Sequence, residues 1–210
     1  MTFRRILVVL NVVVLVLVLA GIAYIYLTPV EDVAVVDPVA PTSDAPRLQI
    51  EVAGTAEGTI EIDLLPGVAP QHVAQVVALA QAGAYDNVVF HRVIEGFMAQ
   101  TGDVQFGIAG GNLDRAGMGG SDRSDLPAEF SNIPFERGVV GMARSQSPNS
   151  ANSQFFIMFD RAPNLNGQYT VIGRVASGMD VVDAIKRGEG PNGSVLGDPD
   201  VMTAVRVLDE

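Results

Sequence analysis

Two short segments of the chain combine apolar and amide side chains in the alternating pattern of a β-strand. Alternation places Met98 and Gln100 on one face of the first segment, and Gln154 and Phe156 on one face of the second. A strand facing water would not carry Met98 and Phe156, and a strand facing only the core would bury amides without partners. The lining of a binding groove accommodates both. The alternative is a strand covered on both faces by neighbouring elements.

Other kinds of chemistry find little support in the residue types. The chain has no cysteine, which excludes disulfides, thiol nucleophiles and Cys-ligated zinc. Its two histidines, His72 and His91, stand in neither a nucleophile-elbow context nor an HExxH motif, so the sequence predicts no metal site and no hydrolase triad. Arg92 lies on a predicted strand, where an isolated arginine is more often a solvated surface group than a catalyst.

A family resemblance changes the interpretation of these residues. Residues 90–103 read FHRVIEGFMAQTGD, which resembles the signature of the cyclophilin family. Residues 153–157 (SQFFI) resemble the second motif of that family, and residues 138–143 (GVVGMA) resemble the strand before it. The similarity continues through residues 165–173 and covers essentially all of residues 47–210.

The resemblance implies a mainly β fold, a closed eight-stranded antiparallel barrel with two α-helices, and peptidyl-prolyl cis/trans isomerase activity on proline-containing polypeptides. It implies that Arg92 is the catalytic arginine and that Gln100 is a polar substrate-binding group, with no cofactor and a monomeric domain. The amide of Gln100 can also orient the guanidinium of Arg92, which makes Gln100 a second predicted catalytic residue. His91 falls beside the arginine but faces the other way, which favours a structural role. The implied substrate-binding residues are Phe97, Met98, Ala143, Arg144, Gln154, Phe156, Leu165 and Tyr169.

Two positions depart from the family pattern. Asn164 stands where many members have Trp, a position associated with binding the inhibitor cyclosporin, so we expect weak inhibition with turnover retained. Arg144 stands where the best-known members have Asn and adds a second cation near the site. Since the family contact there is largely main-chain, we expect altered peptide preference rather than lost activity.

The pattern of apolar residues predicts the elements that position this site. Helical spacing after Pro70 predicts one helix that ends near Gly83, and residues 177–187 form a second with Ser177 as its cap. Glycines between residues 102 and 120 predict a long loop without the Lys-Ser/Thr of a phosphate-binding loop. Period-two alternation and short apolar runs predict strands near residues 48–52, 60–64, 87–94, 97–101, 138–143, 154–159, 170–175 and 201–207.

The amino-terminal region predicts a membrane anchor. Residues 6–27 are apolar except for Asn11, and about 20 such residues span a bilayer as a helix. Arg4 and Arg5 precede this span and acidic residues follow it, which places residues 1–5 in the cytoplasm and the rest outside. Residues 28–46 are rich in proline and predict a linker to the domain at 47–210. The alternative is a cleaved signal peptide, although the apolar run exceeds the usual length.

The net charge of the chain bears on its partners, and the predicted orientation of the anchor bears on its cellular location. The chain carries 13 basic and 24 acidic residues, a formal charge of −11 spread along the sequence, which disfavours nucleic acid. The orientation of the anchor fits a single-pass protein of a bacterial inner membrane with a periplasmic domain, or a soluble periplasmic protein if the segment is cleaved. A eukaryotic secretory membrane is a further alternative. The competing functional hypotheses are a proline-peptide-binding chaperone module with little turnover, and a purely structural membrane protein.

Overall fold

The computed structural model describes residues 45–208. The predicted membrane span at 6–27, and the predicted linker up to residue 44, lie outside this range. Within it, no helix combines the length and the hydropathy required to cross a bilayer. In chain order the elements are β1 (Arg47–Ala53), β2 (Gly58–Leu64), α1 (Pro70–Gln81), β3 (Val88–Val89), β4 (Arg92–Ile94), β5 (Met98–Thr101), β6 (Val139–Met142), β7 (Phe155–Met158), the 3-10 turn η1 (Pro163–Leu165), β8 (Val171–Ser177), α2 (Met179–Ala184), the 3-10 turn η2 (Pro191–Gly193) and β9 (Val201–Leu208).

The strands form one antiparallel sheet in the order β3-β9-β1-β2-β8-β6-β7-β5-β4. The mainly β architecture with two α-helices is therefore confirmed, but nine strands replace the predicted eight. The predicted strand at 87–94 is split at Phe90 and His91, because β3 pairs with β9 while β4 turns away to pair with β5. No ladder joins β3 to β4 within residues 45–208, so closure into a barrel stays a prediction.

Apolar residues of the strands and helix α1 form the main core. The alternating residues of β1 and β2 are buried as predicted, and β2 is paired to β1 through a turn at residues 54–57. Gly54 is needed there, since its φ is +144° and a Cβ would lie 2.2 Å from Asp200 Oδ1. In β9 a bulge opposite Glu51 and Val52 turns Met202 inward, so Met202 and Val205 are buried while Val201 is only partly covered.

The two helices differ in how well their bounds were predicted. Helix α1 begins at Pro70 and ends just before Gly83, whose φ is +68°, as predicted. Helix α2 is shorter than predicted, because Gly178 is its N-cap and the backbone at Ile185 is extended. Lys186 therefore lies beyond the helix, where its main-chain N–H donates to the buried Asp200 carboxylate at 2.6 Å.

A second apolar cluster lies on the opposite face of β5, β6 and β7. Alternation sends Ala99, Phe155 and Ile157 into the main core, while Met98 and Phe156 pack in the second cluster. Residues from the loop before β6 and from the segment around η1 complete this cluster, among them Phe135 and Leu165. These strands are thus covered on both faces over much of their length, and the second cluster opens to solvent at one side.

Candidate active site

The candidate site lies across β4, β5 and β7 on the outer face of the sheet. Arg92 pairs with Gln100 across β4 and β5, and Gln100 pairs with Phe156 across β5 and β7. The next residue in this row is Gly141 of β6. A Cβ at Gly141 would lie 2.6 Å from both Phe135 and Phe156, so glycine leaves the space that the two rings fill. One cross-strand row therefore places a cation, an amide and an aromatic ring side by side.

A pocket of about 150 Å³ opens beside this row. Nine of the ten predicted site residues line it, although Met98, Phe156 and Leu165 are almost fully buried and expose only their edges. The remaining residue, Gln154, lines an adjoining cavity of about 530 Å³ that shares Gln100, Ala143 and Arg144 with the first. The nine residues are Arg92, Phe97, Met98, Gln100, Ala143, Arg144, Phe156, Leu165 and Tyr169.

Phe156 and Tyr169 line the small pocket, and Phe135 packs against both of their rings. Phe135 and Phe156 are stacked with centroids 5.7 Å apart, and Tyr169 meets Phe156 edge-on at 5.7 Å. Sequence reasoning missed Phe135, which lies in the irregular segment before β6 where no periodicity marks a buried residue. Its main-chain N–H donates to Asn166 Oδ1 at 2.8 Å, which ties it to the segment after η1. The packed aromatic rings at this pocket suit a small apolar ring as ligand.

The guanidinium of Arg92 is held at the rim of the pocket by hydrogen bonds. Nη1 donates to Gln100 Oε1 at 3.0 Å, Nε donates to Asn192 O at 2.9 Å, and Nη2 donates to Asn192 Oδ1 at 3.2 Å. Partial burial lowers the pKa of Arg92 from its ordinary value, but an arginine stays charged at physiological pH. Within residues 45–208 no carboxylate forms an ion pair with it, so its charge is available to a ligand. Asn192 carried no signal in the sequence.

An amide chain continues from Arg92 into the glycine-rich loop. Gln100 Nε2 donates to Gln154 Oε1 at 2.8 Å, and Gln154 Nε2 donates to Gly119 O at 2.7 Å. The two glutamines therefore have the partners that their partly buried positions require. This accounts for both amides noted in the sequence.

The side chain of Asp103 holds the glycine-rich loop at residues 102–120 through main-chain hydrogen bonds. Its carboxylate is fully buried and accepts four main-chain N–H groups, from Gln105, Phe106, Gly117 and Gly119, at 2.7–3.0 Å. A carboxylate bound by several main-chain donors makes charge-assisted hydrogen bonds that are shorter and stronger than neutral ones. The position of the Gly119 carbonyl, and with it that of Gln154, follows from this anchor.

Arg144 lines the pocket, but its guanidinium N–H groups donate to neighbouring main-chain oxygens. Its Nε and Nη2 donate to Gln168 O at 3.1 and 3.0 Å, and its Nη1 donates to Ser145 O at 2.9 Å. The guanidinium lies 4.5 Å from the centroid of the Tyr169 ring. Arg144 therefore links residues 144–146 to residues 168–169 and packs over the Tyr169 ring, which lines the pocket. Asn164, the other departure from the family pattern, is exposed on η1.

His91 is buried beneath the site rather than in it. The residue is 7% exposed, both ring nitrogens are buried, and neither has a hydrogen-bond partner within residues 45–208. Burial lowers the pKa of His91 to about 4, against the opposing effect of the Asp103 carboxylate. At neutral pH the ring is uncharged. It lies under Gly117, where a Cβ would stand 3.0 Å from the ring.

We expect His91 to make folding stability fall in mild acid. Since its pKa is about 6.5 in an unfolded chain and about 4 in the folded one, the unfolded state binds more protons below pH 6.5. Stability should decrease as the pH falls from about 6.5 to about 4, by about 2–3 kcal/mol. Urea unfolding at pH 7 and pH 4.5 checks this with His91→Gln, which should lose less stability than the wild type over that interval. Equal losses in the two proteins would contradict it.

Residues 45–208 contain no group of three or more His, Cys, Asp and Glu side chains placed to hold a metal ion. The residues that line the pocket offer hydrogen-bond donors and acceptors next to apolar side chains. A neutral group that gains a lone pair next to Arg92 would be bound more tightly than the same group without one.

Comparison with known proteins places this site in a family. The model of the family described as "Cyclophilin type peptidyl-prolyl cis-trans isomerase/CLD" matches residues 47–207. A Brucella suis protein named "Probable peptidyl-prolyl cis-trans isomerase" is 63% identical over 142 residues, which cover 66% of this chain and 72% of the relative. In Arabidopsis thaliana, "Peptidyl-prolyl cis-trans isomerase CYP57" is 36% identical over 138 residues, 66% of this chain and 26% of the relative.

Solved structures agree in fold. The cyclophilin AquaCyp293 from Hirschia baltica superposes with a TM-score of 0.62 at 27% identity and covers 76% of this chain and 72% of its own. A Cryptosporidium parvum cyclophilin type isomerase superposes with a TM-score of 0.67 at 23% identity, over 79% of this chain and 99% of its own. The family match, the relatives and the fold agree: the chain belongs to the cyclophilin-type peptidyl-prolyl cis-trans isomerases and is an enzyme of that class.

Proposed function

We propose that the enzyme lowers the barrier to X-Pro rotation by donating a hydrogen bond from Arg92 to the prolyl nitrogen. That barrier is about 18–20 kcal/mol, because the amide loses its resonance as it twists. In the twisted state the nitrogen becomes pyramidal and regains a lone pair. A donor that finds an acceptor only in this state binds the transition state more tightly than either planar isomer, which is the condition for catalysis.

The observation that carries this proposal is the geometry of Arg92 at the pocket rim. Three of its five N–H groups are bound to Gln100 and Asn192, and Nη1 also lies 3.9 Å from the Met98 sulfur. A thioether is a weak acceptor that a better one readily displaces. The guanidinium is thus oriented by protein groups and still has donors to offer beside an apolar pocket.

The pocket supplies the rest of the rate enhancement. One hydrogen bond to a charged group contributes about 1.5–3 kcal/mol, or about one to two decades of rate. We infer that Phe97, Met98, Phe156 and Leu165 hold the proline ring while the preceding carbonyl rotates, and that they exclude water from the twisting amide. The main-chain N–H of Ala143 is already bonded to Gln154 O, so Ala143 would meet the peptide through its carbonyl group.

Proline-containing polypeptides are the proposed substrates. A structural neighbour from Cryptosporidium parvum was crystallised in the presence of the dipeptide Ala-Pro, which is consistent with a proline ring as the occupant of such a pocket. NMR exchange spectroscopy of a proline tetrapeptide with the whole chain in detergent tests the proposal. Accelerated cis/trans exchange supports it, whereas peptide binding with an unchanged exchange rate would identify a binding module instead.

We further propose that the substrates are exported proteins. The apolar span at 6–27, the basic residues before it and the acidic residues after it support an anchor in a bacterial inner membrane with the isomerase domain in the periplasm. Proteins that emerge unfolded on that side carry X-Pro bonds whose slow isomerisation limits folding.

Cysteine labelling tests this location, because the chain has no cysteine of its own. We expect Glu57→Cys, at an exposed position of the domain, to react in intact cells with a maleimide that does not cross the inner membrane. Thr2→Cys, before the span, serves as the control and should react only after the cells are lysed. Labelling of Thr2→Cys but not of Glu57→Cys in intact cells would reverse the topology and reject the proposal.

A further inference from the structure

The turn η2 supplies an acceptor pair for the guanidinium of Arg92 from a hundred residues away. The main-chain oxygen of Asn192 accepts from Nε, and its side-chain oxygen accepts from Nη2. The two N–H groups lie on one edge of the guanidinium, which normally binds the two oxygens of a carboxylate. Here a single asparagine provides both oxygens without carrying a charge.

The backbone of η2 is shaped for this contact. Asn192 has φ 56° and ψ 26°, in the left-handed region, where Asn is several-fold enriched among residues other than glycine. Gly193 follows with φ +77°, and a Cβ there would lie 2.3 Å from Ile94 Cγ1. Glycine thus lets the turn lie directly on β4, next to Arg92.

Main-chain hydrogen bonds hold the turn in place on both sides. Gly188 N–H donates to Val93 O at 2.9 Å before the turn, and Val195 N–H donates to His91 O at 3.0 Å after it. Ser194 forms an antiparallel bridge with Arg92 itself. The position of Asn192 is therefore set by β4, the strand that carries the arginine.

We propose that Asn192 is a positioning residue for the isomerase reaction. Together with Gln100 it fixes the plane of the guanidinium, and because both partners are neutral the full positive charge is left for the twisted amide. This inference rests on the proposed role of Arg92. A carboxylate in the place of Asn192 would orient the arginine equally well but would cancel much of its charge. An uncharged pair of acceptor oxygens therefore suits this site better.

Asn192→Gly tests the proposal, since glycine adopts the same left-handed backbone and keeps the main-chain acceptor, while the side chain is lost together with the Oδ1 that accepts from Arg92. We expect kcat for a proline tetrapeptide to fall about three- to tenfold with KM changed less than twofold, because the lost bond acts on orientation rather than on peptide binding. The matched control is Asn87→Gly. Asn87 is exposed, has φ 62° and lies away from the pocket, so the same substitution there should leave kcat unchanged.

A double-mutant cycle with Arg92→Lys shows whether the effect passes through the arginine. Lysine keeps the charge but has no fork to match the two oxygens, so Asn192→Gly should have little further effect in that background. An undiminished effect in the Arg92→Lys protein, or equal losses in the Asn192 and Asn87 variants, would overturn the proposal. If Arg92→Lys lowers kcat and Asn192→Gly does not, this inference alone fails. If Arg92→Ala retains wild-type kcat, the proposed role of Arg92 fails.

Discussion

Replacing Arg92 with alanine should lower kcat/KM for a proline tetrapeptide by about 10- to 100-fold, the one to two decades of rate that a hydrogen bond from a charged donor contributes. The loss should appear mainly in kcat, since the apolar pocket that holds the proline ring is unchanged. Exchange spectroscopy measures the catalysed rate, and peptide titration followed by chemical shift measures the affinity.

The matched control is Arg206→Ala. Arg206 lies on β9, pairs with Asp86 at 2.8 Å and is half exposed, so its removal should change stability little and should not affect turnover. A variant lacking Arg92 that turns over at more than a tenth of the wild-type rate would show that the pocket, and not the guanidinium, carries most of the catalysis. A variant that loses peptide binding along with turnover would assign Arg92 to ground-state binding instead.

Asp103→Asn should destabilise the domain by about 2–4 kcal/mol and also slow the reaction. Each oxygen of Asp103 accepts two main-chain N–H groups, and an amide can accept on only one side, so its NH₂ group would face two donors. We expect the melting temperature to fall by about 6–12 °C. Loosening Gly119 should free Gln154 and lower kcat about three- to tenfold, because Gln154 no longer supports Gln100.

The control for this variant is Asp200→Asn. Asp200 is equally buried and also accepts main-chain N–H groups on both oxygens, from Ala56 and Lys186, but it does not line either cavity of the site. It should lose stability to a similar extent and keep its kcat at temperatures well below unfolding. Equal kcat values for the two variants would show that the glycine-rich loop does not act on the site.

The site residues that could be predicted from the sequence lie mostly on strands, where alternation shows which face of the sheet each side chain occupies. The mixed faces of β5 and β7 indicated a groove, and the structure brings Met98, Gln100 and Phe156 to one pocket. The alternative of strands covered on both faces was also partly right, since Met98 and Phe156 are almost completely buried. The pattern could not decide between the two because a pocket cut into a buried cluster shows both properties.

The groups that support the site could not be predicted in the same way. Phe135, Asp103 and Asn192 lie in turns and loops, where no period of two or 3.6 residues assigns a face. Their roles depend on contacts across long stretches of chain, such as the hundred residues between Arg92 and Asn192. The end of α2 was missed for a related reason, because the buried Asp200 captures the N–H group of Lys186 and stops the helix.

The position of β9 between β3 and β1 governs when this domain can fold. Arg47 of β1 pairs with Leu208 of β9, and Val88 of β3 pairs with Met202 of β9. One edge of β1, the first strand to be synthesised, therefore has no partner until β9 has been synthesised. Contacts of such long sequence separation make folding slow and leave strand edges open in the meantime. The enzyme is therefore itself a slowly assembling protein, and until β9 docks, β1 presents an unpaired edge to any neighbouring chain.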